Sequence, residues 1–390
     1  MRHEGLTPVL AEIEAQGLLR RLRLVGSAVG TRVIVEGRDT LLFCTNDYLG
    51  LANHPAVKEA AADAVHRYGA SAGASRLVSG TLPVHAELEA ELARFKRTEA
   101  ALVFGSGYLA NIGVISALMR HGGIIYSDEL NHASIIDACR LSRAEVKVYP
   151  HRDTRSLKNM LEAGNANGQR LIVTDGVFSM DGDIAPLPEL ARLASEFDCY
   201  LMVDDAHATG VLGPDGQGTA AHFSLHGHVD IQMGTLSKAL GSYGAFVAGS
   251  RELIELLVNR ARSFIFTTAL PPASAAAARE ALRIAEREPE RRERLWRNAR
   301  LLTQGLASAG FNVGASETFI IPVIVGGARE CVMLADRLLE EGVFAQAIRP
   351  PSVPEGASRL RVVPTSEHSV NDIEFARDAF IRAGKKTGII

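Results

Sequence analysis

Residues 230–250 read DIQMGTLSKALGSYGAFVAGS. The apolar run 231–233 predicts a buried strand. Gly234-Thr235-Leu236-Ser237-Lys238 breaks that strand, and Gly241 and Gly244 keep the backbone loose before a second apolar run at 245–248. Lys238 therefore falls on a tight loop between two core strands. A lysine amine is protonated near neutral pH, with a reference pKa of roughly 10.4, but desolvation and neighbouring cations lower that value and expose a nucleophile able to form a Schiff base. Taken by itself, the segment fits an exposed loop lysine equally well.

Working outward, short apolar runs at 101–104, 124–126, 146–149, 171–174 and 200–203 join 231–233 and 245–248, mostly separated by helical patterns such as 108–120 and 187–197. This alternation predicts an α/β fold, a mainly parallel seven-stranded sheet with helices on both faces. Ligands of such sheets bind beyond the carboxyl ends of the strands. Three domains are expected: an N-terminal helix and hairpin segment at 1–52, a large domain at 53–285 and a small C-terminal α/β domain at 286–390. The first contains Leu6, Val9, Leu10 and Ile13 at helical spacing, the basic cluster Arg20, Arg21 and Arg23, and strands 31–35 and 41–45 joined through Glu36-Gly37-Arg38-Asp39. Further helices are expected from Pro55 to about Tyr68 and around Val84, Leu88, Leu92 and Phe95. The charged run 286–294 reads as a solvated helical face, and strands are expected at 319–325, 343–348 and 359–363.

The chain has 390 residues, of which 47% are hydrophobic, enough to bury a large core. Its 42 basic and 45 acidic residues are spread along the sequence, so no net field recruits nucleic acid or an anionic membrane surface. Cys44, Cys139, Cys199 and Cys331 lie far apart, which fits a reducing cytoplasm better than a disulfide framework. No apolar run approaches the roughly 20 residues of a membrane span, and the first 23 residues lack the uninterrupted core of a signal peptide.

Chemistry-bearing residues gather at the strand ends. Gly105-Ser106-Gly107-Tyr108 follows the first strand and opens a helix, whose free N–H groups and dipole suit a phosphate. Glycines are also common in such turns, and Tyr108 fits a core aromatic as well. Asp204 and Asp205 end the run 200–203, with His207 three positions after Asp204. A carboxylate at the mouth of a buried strand needs a cation, such as a protonated ring nitrogen, or else caps the next turn. Asn131-His132 and Ser179 follow two other strands. Together these groups offer an anion cup, a stacking ring, a counter-ion and an amine, the set a phosphorylated pyridine aldehyde requires. A metal held by His132, Asp204 and His207 is the rival reading, and it accounts for neither the Gly-Ser-Gly-Tyr turn nor Lys238.

The motifs FCTNDYLGL (43–51), GASRLVSGT (73–81), TDGVFSMDGDIAPL (174–187), VDDAHATGVLG (203–213), GTLSKALG (234–241), FIFTTALPP (264–272) and AIRPPSVPEGASRLRVVPTSEH (347–368) occur in this order. Through them the chain resembles the α-oxoamine synthases, pyridoxal-phosphate enzymes of fold type I, the aspartate aminotransferase-like superfamily. The resemblance implies that Lys238 binds the cofactor aldehyde and takes the α-proton of the amino acid. It implies that Asp204 holds the pyridinium nitrogen, that His207 and Ser179 lie near the phenolic oxygen, and that His132 stacks on the ring. Gly107, Tyr108 and Thr235 would receive the phosphate, with Thr267 or Thr268 reaching that of a neighbouring subunit in a homodimer. Arg349 would clamp the amino-acid carboxylate near Asn46 and Ser352, and Arg20, or else Arg21, would lie near the acyl substrate. The segment Arg349-Pro350-Pro351-Ser352-Val353-Pro354 is most similar to that of members joining L-alanine to a pimeloyl thioester, of coenzyme A or acyl carrier protein, to give 8-amino-7-oxononanoate for biotin. Members that acylate glycine with acetyl-CoA are the alternative.

Overall fold

The computed structural model describes residues 5–164 and 168–390, so residues 1–4 of the expected N-terminal segment and residues 165–167 lie outside the description. The chain divides into two compact units. Met1–Tyr48, Met180–Gly182 and Glu293–Ile390 form the first, and Leu49–Ser179 and Asp183–Arg292 form the second.

The first unit begins with α1 (Leu6–Ala15), which has the expected apolar spacing but buries none of its residues. Strands β1 (Arg32–Val35) and β2 (Arg38–Leu42) pair antiparallel with Val35 opposite Arg38. The connection is therefore the two residues Glu36-Gly37 and not the four expected. Both adopt positive φ, 50° and 82°, the geometry of a type I′ turn whose twist matches that of the strands.

The second unit contains α2 (Pro55–Tyr68), α3 (Pro83–Lys96), β3 (Ala100–Phe104), α4 (Gly107–Leu118), β4 (Ile124–Asp128), α5 (Ala133–Ser142), β5 (Glu145–Tyr149) and α6 (Thr154–Glu162). It continues through β6 (Arg170–Asp175), α7 (Leu187–Glu196), β7 (Tyr200–Asp204), α8 (Thr219–His222), β8 (Ile231–Thr235), β9 (Ala245–Gly249), α9 (Arg251–Arg260), α10 (Arg262–Ile265) and α11 (Pro272–Arg287). All seven expected strands enter one sheet in the order β3-β9-β8-β7-β6-β4-β5. Only β9 runs against its neighbours, β3 and β8. The connection 236–244 is too short for the crossover that a parallel return needs. Along β7, Leu201 and Val203 join the core beneath α6 and α7, whereas Met202 joins the core beneath α4, α5 and α9. The sheet is thus buried on both faces, which explains the near-continuous apolar runs.

The chain continues with α12 (Glu290–Ser308) and returns to the first unit with β10 (Ile321–Gly326), α13 (Ala328–Glu340), β11 (Val343–Phe344), β12 (Gln346–Ile348), β13 (Ser358–Val362) and α14 (Val370–Thr387). The expected single strand 343–348 is two strands. Val343 pairs in parallel with Leu41 of β2, whereas Ala347 pairs with Leu360 of β13 in a second small sheet, β10-β13-β12. One apolar run serves two sheets because Ala345 between them is itself buried. The run 286–294 also differs from the expected solvated face. Pro289 separates α11 from α12, and both Arg291 and Arg292 are buried, donating to the carbonyls of Leu49 (3.1 Å) and Ala285 (2.5 Å). Arginine suits this role, because its fork satisfies carbonyls as well as carboxylates.

A buried ion pair holds the end of β7. Lys96 Nζ donates to Asp205 Oδ2 at 2.8 Å, both side chains being essentially inaccessible, and also to the carbonyl of Gln217 at 2.5 Å. Thr219 closes the network through its hydroxyl, 2.5 Å from Asp205 Oδ1. Removing one partner of such a pair strands the other charge in a poorly polarisable interior. Lys96→Met is expected to lower stability by about 3–5 kcal/mol, and Lys96→Met combined with Asp205→Asn to recover part of that, both read by urea unfolding.

Candidate active site

The carboxyl ends of β3, β4, β6, β7 and β8 open on one cavity of about 190 Å³ within the second unit. That exceeds the roughly 30 Å³ share of a single water, so the space admits more than an ion. Gly107, Tyr108, His132, Ser179, Asp204, His207, Thr235 and Lys238, all expected at the site, line it. The structure also adds Ser134, Asp175, Ala206, Met233 and Ser237 to the lining.

Lys238 stands in the 236–244 loop with its Nζ 2.8 Å from His207 Nε2. The loop is tight because Leu236 N and Ser242 N donate to the carbonyls of Gly244 and Leu236, both at 2.9 Å, and because Gly241 and Gly244 take positive φ. Thr235 Oγ1 donates to the Gly244 carbonyl at 3.0 Å and lies 2.7 Å from Ser237 Oγ, leaving both hydroxyl oxygens at the mouth of the loop.

Asp204 is 3% exposed and accepts from Asn111 Nδ2 at 2.8 Å and from the Ala206 N–H at 2.9 Å. Both donors are neutral. Burial raises the carboxyl above its ordinary value, against the Asn111 hydrogen bond and the Lys238 charge, which lower it. Asp175 stands opposite Asp204 in the ladder, is raised further by burial and by Asp204, and accepts from the His132 N–H at 2.8 Å. His132 caps α5. Its Nδ1 accepts from the Ser134 N–H at 3.2 Å and lies 2.7 Å from Ser134 Oγ, which in turn accepts from Asn111 Nδ2 at 2.9 Å. Nδ1 is thus the acceptor nitrogen, and burial lowers the pKa of the ring despite Asp204. One asparagine amide orients both the carboxylate and, through Ser134, the imidazole.

Asn111, Ser134 and Asp175 were not singled out in the sequence. Asp175 had a signal, a polar residue ending an apolar run like Asp204. Asn111 had only its spacing, one helical turn after Gly107. At the start of α4, Ser106 Oγ takes the Leu109 N–H at 3.2 Å and the Ser106 carbonyl takes that of Ala110 at 3.0 Å. The N–H groups of Gly107 and Tyr108 meet no acceptor among the described residues and remain for an anion. Tyr108 is no core aromatic: it is 43% exposed and its hydroxyl binds Asp137.

Thr267 and Thr268 do not line the cavity of their own chain. They follow α10, where Thr268 bridges Ser75 and the Ala269 N–H donates to Ala74 at 3.0 Å. Arg20, Asn46, Arg349 and Ser352 belong to the first unit. There Arg349 donates to the carbonyls of Gly17 and Leu19, and Arg20 to that of Pro350 at 3.2 Å. Asn46 Oδ1 accepts from Arg361 and Tyr48, each at 3.1 Å, and exposed Ser352 donates its N–H to the Arg349 carbonyl at 3.1 Å. Arg21, but not Arg20, joins Arg23 and Arg349 around a cavity of about 490 Å³ in that unit. No group of three or more His, Cys, Asp or Glu among the described residues is placed to hold a metal ion, so the rival set of His132, Asp204 and His207 is not assembled for one.

Fold and site together define a class, the α/β transferases of fold type I. A model of the family "aminotransferase class I and II" matches residues 38–380. The 8-amino-7-oxononanoate synthase of Geobacter sulfurreducens is 54% identical over 384 residues, 98% of each chain, and that of Lysinibacillus sphaericus is 50% identical over 381 residues with the same coverage. Among solved structures, a serine palmitoyltransferase from S. paucimobilis with PLP and myriocin bound superimposes with a TM-score of 0.95 at 34% identity, covering 100% of this chain and 99% of that one. The chain belongs to the aminotransferase class I and II family and, within it, to the α-oxoamine synthases.

The Lys238 loop gives a direct test of this local geometry. A Cβ on Gly241, where φ is +57°, would lie 2.3 Å from the Ala52 nitrogen and 2.6 Å from the Leu51 carbonyl carbon. Neither backbone atom can step aside, so Gly241→Ala is expected to cost on the order of 2–4 kcal/mol in thermal or urea unfolding.

Proposed function

We propose that this protein is a pyridoxal 5′-phosphate-dependent acyltransferase that condenses L-alanine with a pimeloyl thioester to give 8-amino-7-oxononanoate, CO2 and free thiol in biotin biosynthesis. Relatives of that name, 49–54% identical over nearly the whole chain, support the reaction. The observation that carries the cofactor is the pairing of two groups in one cavity. A primary amine, Lys238 Nζ, lies beside an imidazole, and a buried carboxylate, Asp204, has only neutral hydrogen-bond donors. The donor set fits the group: an amine for an aldehyde, an anion for a pyridinium, and two unengaged N–H groups with two hydroxyls for a phosphate.

In this reading Asp204 would hold the pyridinium nitrogen, His132 the ring face, His207 and Ser179 the phenolic oxygen, and Gly107, Tyr108 and Thr235 the phosphate. When bound, the cofactor supplies an electron sink for negative charge at the α-carbon of the amino acid. Lys238 Nζ is the base that takes the α-proton, and His207 Nε2 at 2.8 Å offers that proton a neighbouring acceptor. The Asn111–Ser134–His132 chain keeps Nδ1 occupied, so the stacking ring presents a fixed tautomer. Arg349 would bind the amino-acid carboxylate with Asn46 and Ser352, and Arg20 or Arg21 the acyl substrate. The assembly is a homodimer in which Thr267 or Thr268 of one copy completes the phosphate site of the other. A cytoplasmic location accords with the absence, among the described residues, of any helix long and apolar enough to cross a membrane.

Thiol release from pimeloyl-CoA by the cofactor-loaded protein tests the reaction, with rapid release expected for L-alanine and little for glycine. Turnover with glycine and acetyl-CoA alone would overturn the substrate assignment while leaving the cofactor in place. A slow rate with pimeloyl-CoA and a fast one with the pimeloyl-acyl carrier protein would identify the carrier. Lys238→Ala should lower turnover by at least about 100-fold with any acyl donor, the lower end of what a positioned base contributes.

A further inference from the structure

β5 ends at Tyr149, and the next turn lays His151 between two carboxylates. Its Nδ1 lies 2.9 Å from Asp128 Oδ1 and its Nε2 2.7 Å from Asp183 Oδ2. An ionised carboxylate can only accept, so the ring satisfies both partners when both nitrogens carry a proton. Burial pulls the imidazole pKa down, but the hydrogen bonds and charges of Asp128 and Asp183 outweigh it and hold the value at about 9. Asp183 responds in kind: burial pushes it up, and His151 and Arg152 outweigh that to hold it below the ordinary carboxylate value. The ring also meets Phe178 edge-on, with centroids 4.4 Å apart.

The two carboxylates belong to different strand-end loops, each bearing a residue of the cavity. Asp128 ends β4 and accepts from the Leu130 N–H at 2.9 Å, at the start of the short loop that delivers His132. Asp183 closes the 176–185 loop. There the Phe178 N–H donates to the Asp183 carbonyl and that of Ala185 to Gly176, both at 3.0 Å, and Ser179 lies within the loop. Asp183 Oδ1 is buried without a partner among the described residues, so the Oδ2 contacts with His151 and Arg152 hold this side chain. Asp128, His151, Arg152 and Asp183 do not themselves line the cavity, and all four lie in the second unit.

We propose that His151 is a positioning residue whose imidazolium ties the β4–α5 loop to the 176–185 loop and thereby holds His132 and Ser179 at the cofactor cavity. The proposal rests on the pyridoxal phosphate reading above. The charged groups facing His151 are Asp128 and Asp183 on its ring nitrogens, Glu129 on its backbone N–H at 2.8 Å, and Arg152, whose guanidinium donates to the same Asp183 oxygen at 3.2 Å and whose backbone N–H donates to Asp128 Oδ2 at 2.9 Å. The pKa is raised above an unfolded value of about 6.5, so the tie is fully present below that pH and is lost as pH rises through about 9.

The test uses pyridoxamine 5′-phosphate, which has no aldehyde for Lys238, bound to the apo protein and followed by fluorescence at pH 7 and pH 10. His151→Gln should bind about tenfold more weakly than wild type at pH 7, the scale of one charge-assisted hydrogen bond, and the two proteins should converge at pH 10. Equal affinities at pH 7, or an unchanged gap at pH 10, would overturn the proposal, because a purely structural role carries no such pH dependence. Should His151→Gln fail to fold, NMR titration of the histidines in the native protein decides, with His151 assigned through Asp183→Asn. A midpoint above about 8 supports the imidazolium tie, and one at or below about 6.5 overturns it. Failure of the wild type to bind pyridoxamine phosphate at either pH would overturn the cofactor reading itself, and this proposal with it.

Discussion

A carboxylate taken out of water at the end of a strand must find a positive charge or give up its own. β7 ends on two in succession. The backbone sends them to different surroundings, and their fates differ. Asp205 meets Lys96 and a closed ring of donors, so its charge is neutralised within the protein. Asp204 meets an asparagine amide and one backbone N–H, so its charge is oriented but not neutralised. The first arrangement holds the strand end in place, and the second leaves a site asking for a cation. The functional character of the cavity follows from that difference.

The same economy runs through the neighbouring loops. Asp175 secures the backbone of His132, Asn131 ties its loop to β6 through the Val173 carbonyl at 2.9 Å and the Asp175 N–H at 2.8 Å, and His151 bridges Asp128 and Asp183. Each link joins residues that end or follow different strands. Rigid strand ends and cross-linked loops allow side chains from five separate elements to converge with little reorganisation, the condition for electrostatic preorganisation.

Much of this was legible in the chain. A sheet buried on both faces needs apolar strands, so all seven could be located within a residue or two, and polar residues immediately after them mark the cavity. Lys238, Asp204, His207 and His132 stand out for that reason. Asn111 does not, because an asparagine inside a helix has no local mark of what lies across from it. His151 was equally silent, since its two partners are 23 and 32 residues away in sequence. The run 343–348 looked like one strand because apolar character records burial and not the identity of the hydrogen-bonding partner.

The sequence by itself determined the order and kind of the elements, the doubly covered sheet and the loops on which reactive groups sit, because periodicity and turn chemistry act over a few residues. Tertiary structure decided which charges are neutralised and which are left open. It chose Lys96 for Asp205 and His151 for Asp128 and Asp183, it turned Arg291 and Arg292 inward, and it joined β11 to β2. These outcomes depend on distances between residues far apart along the chain, and burial sets their energetic weight only after the chain has folded.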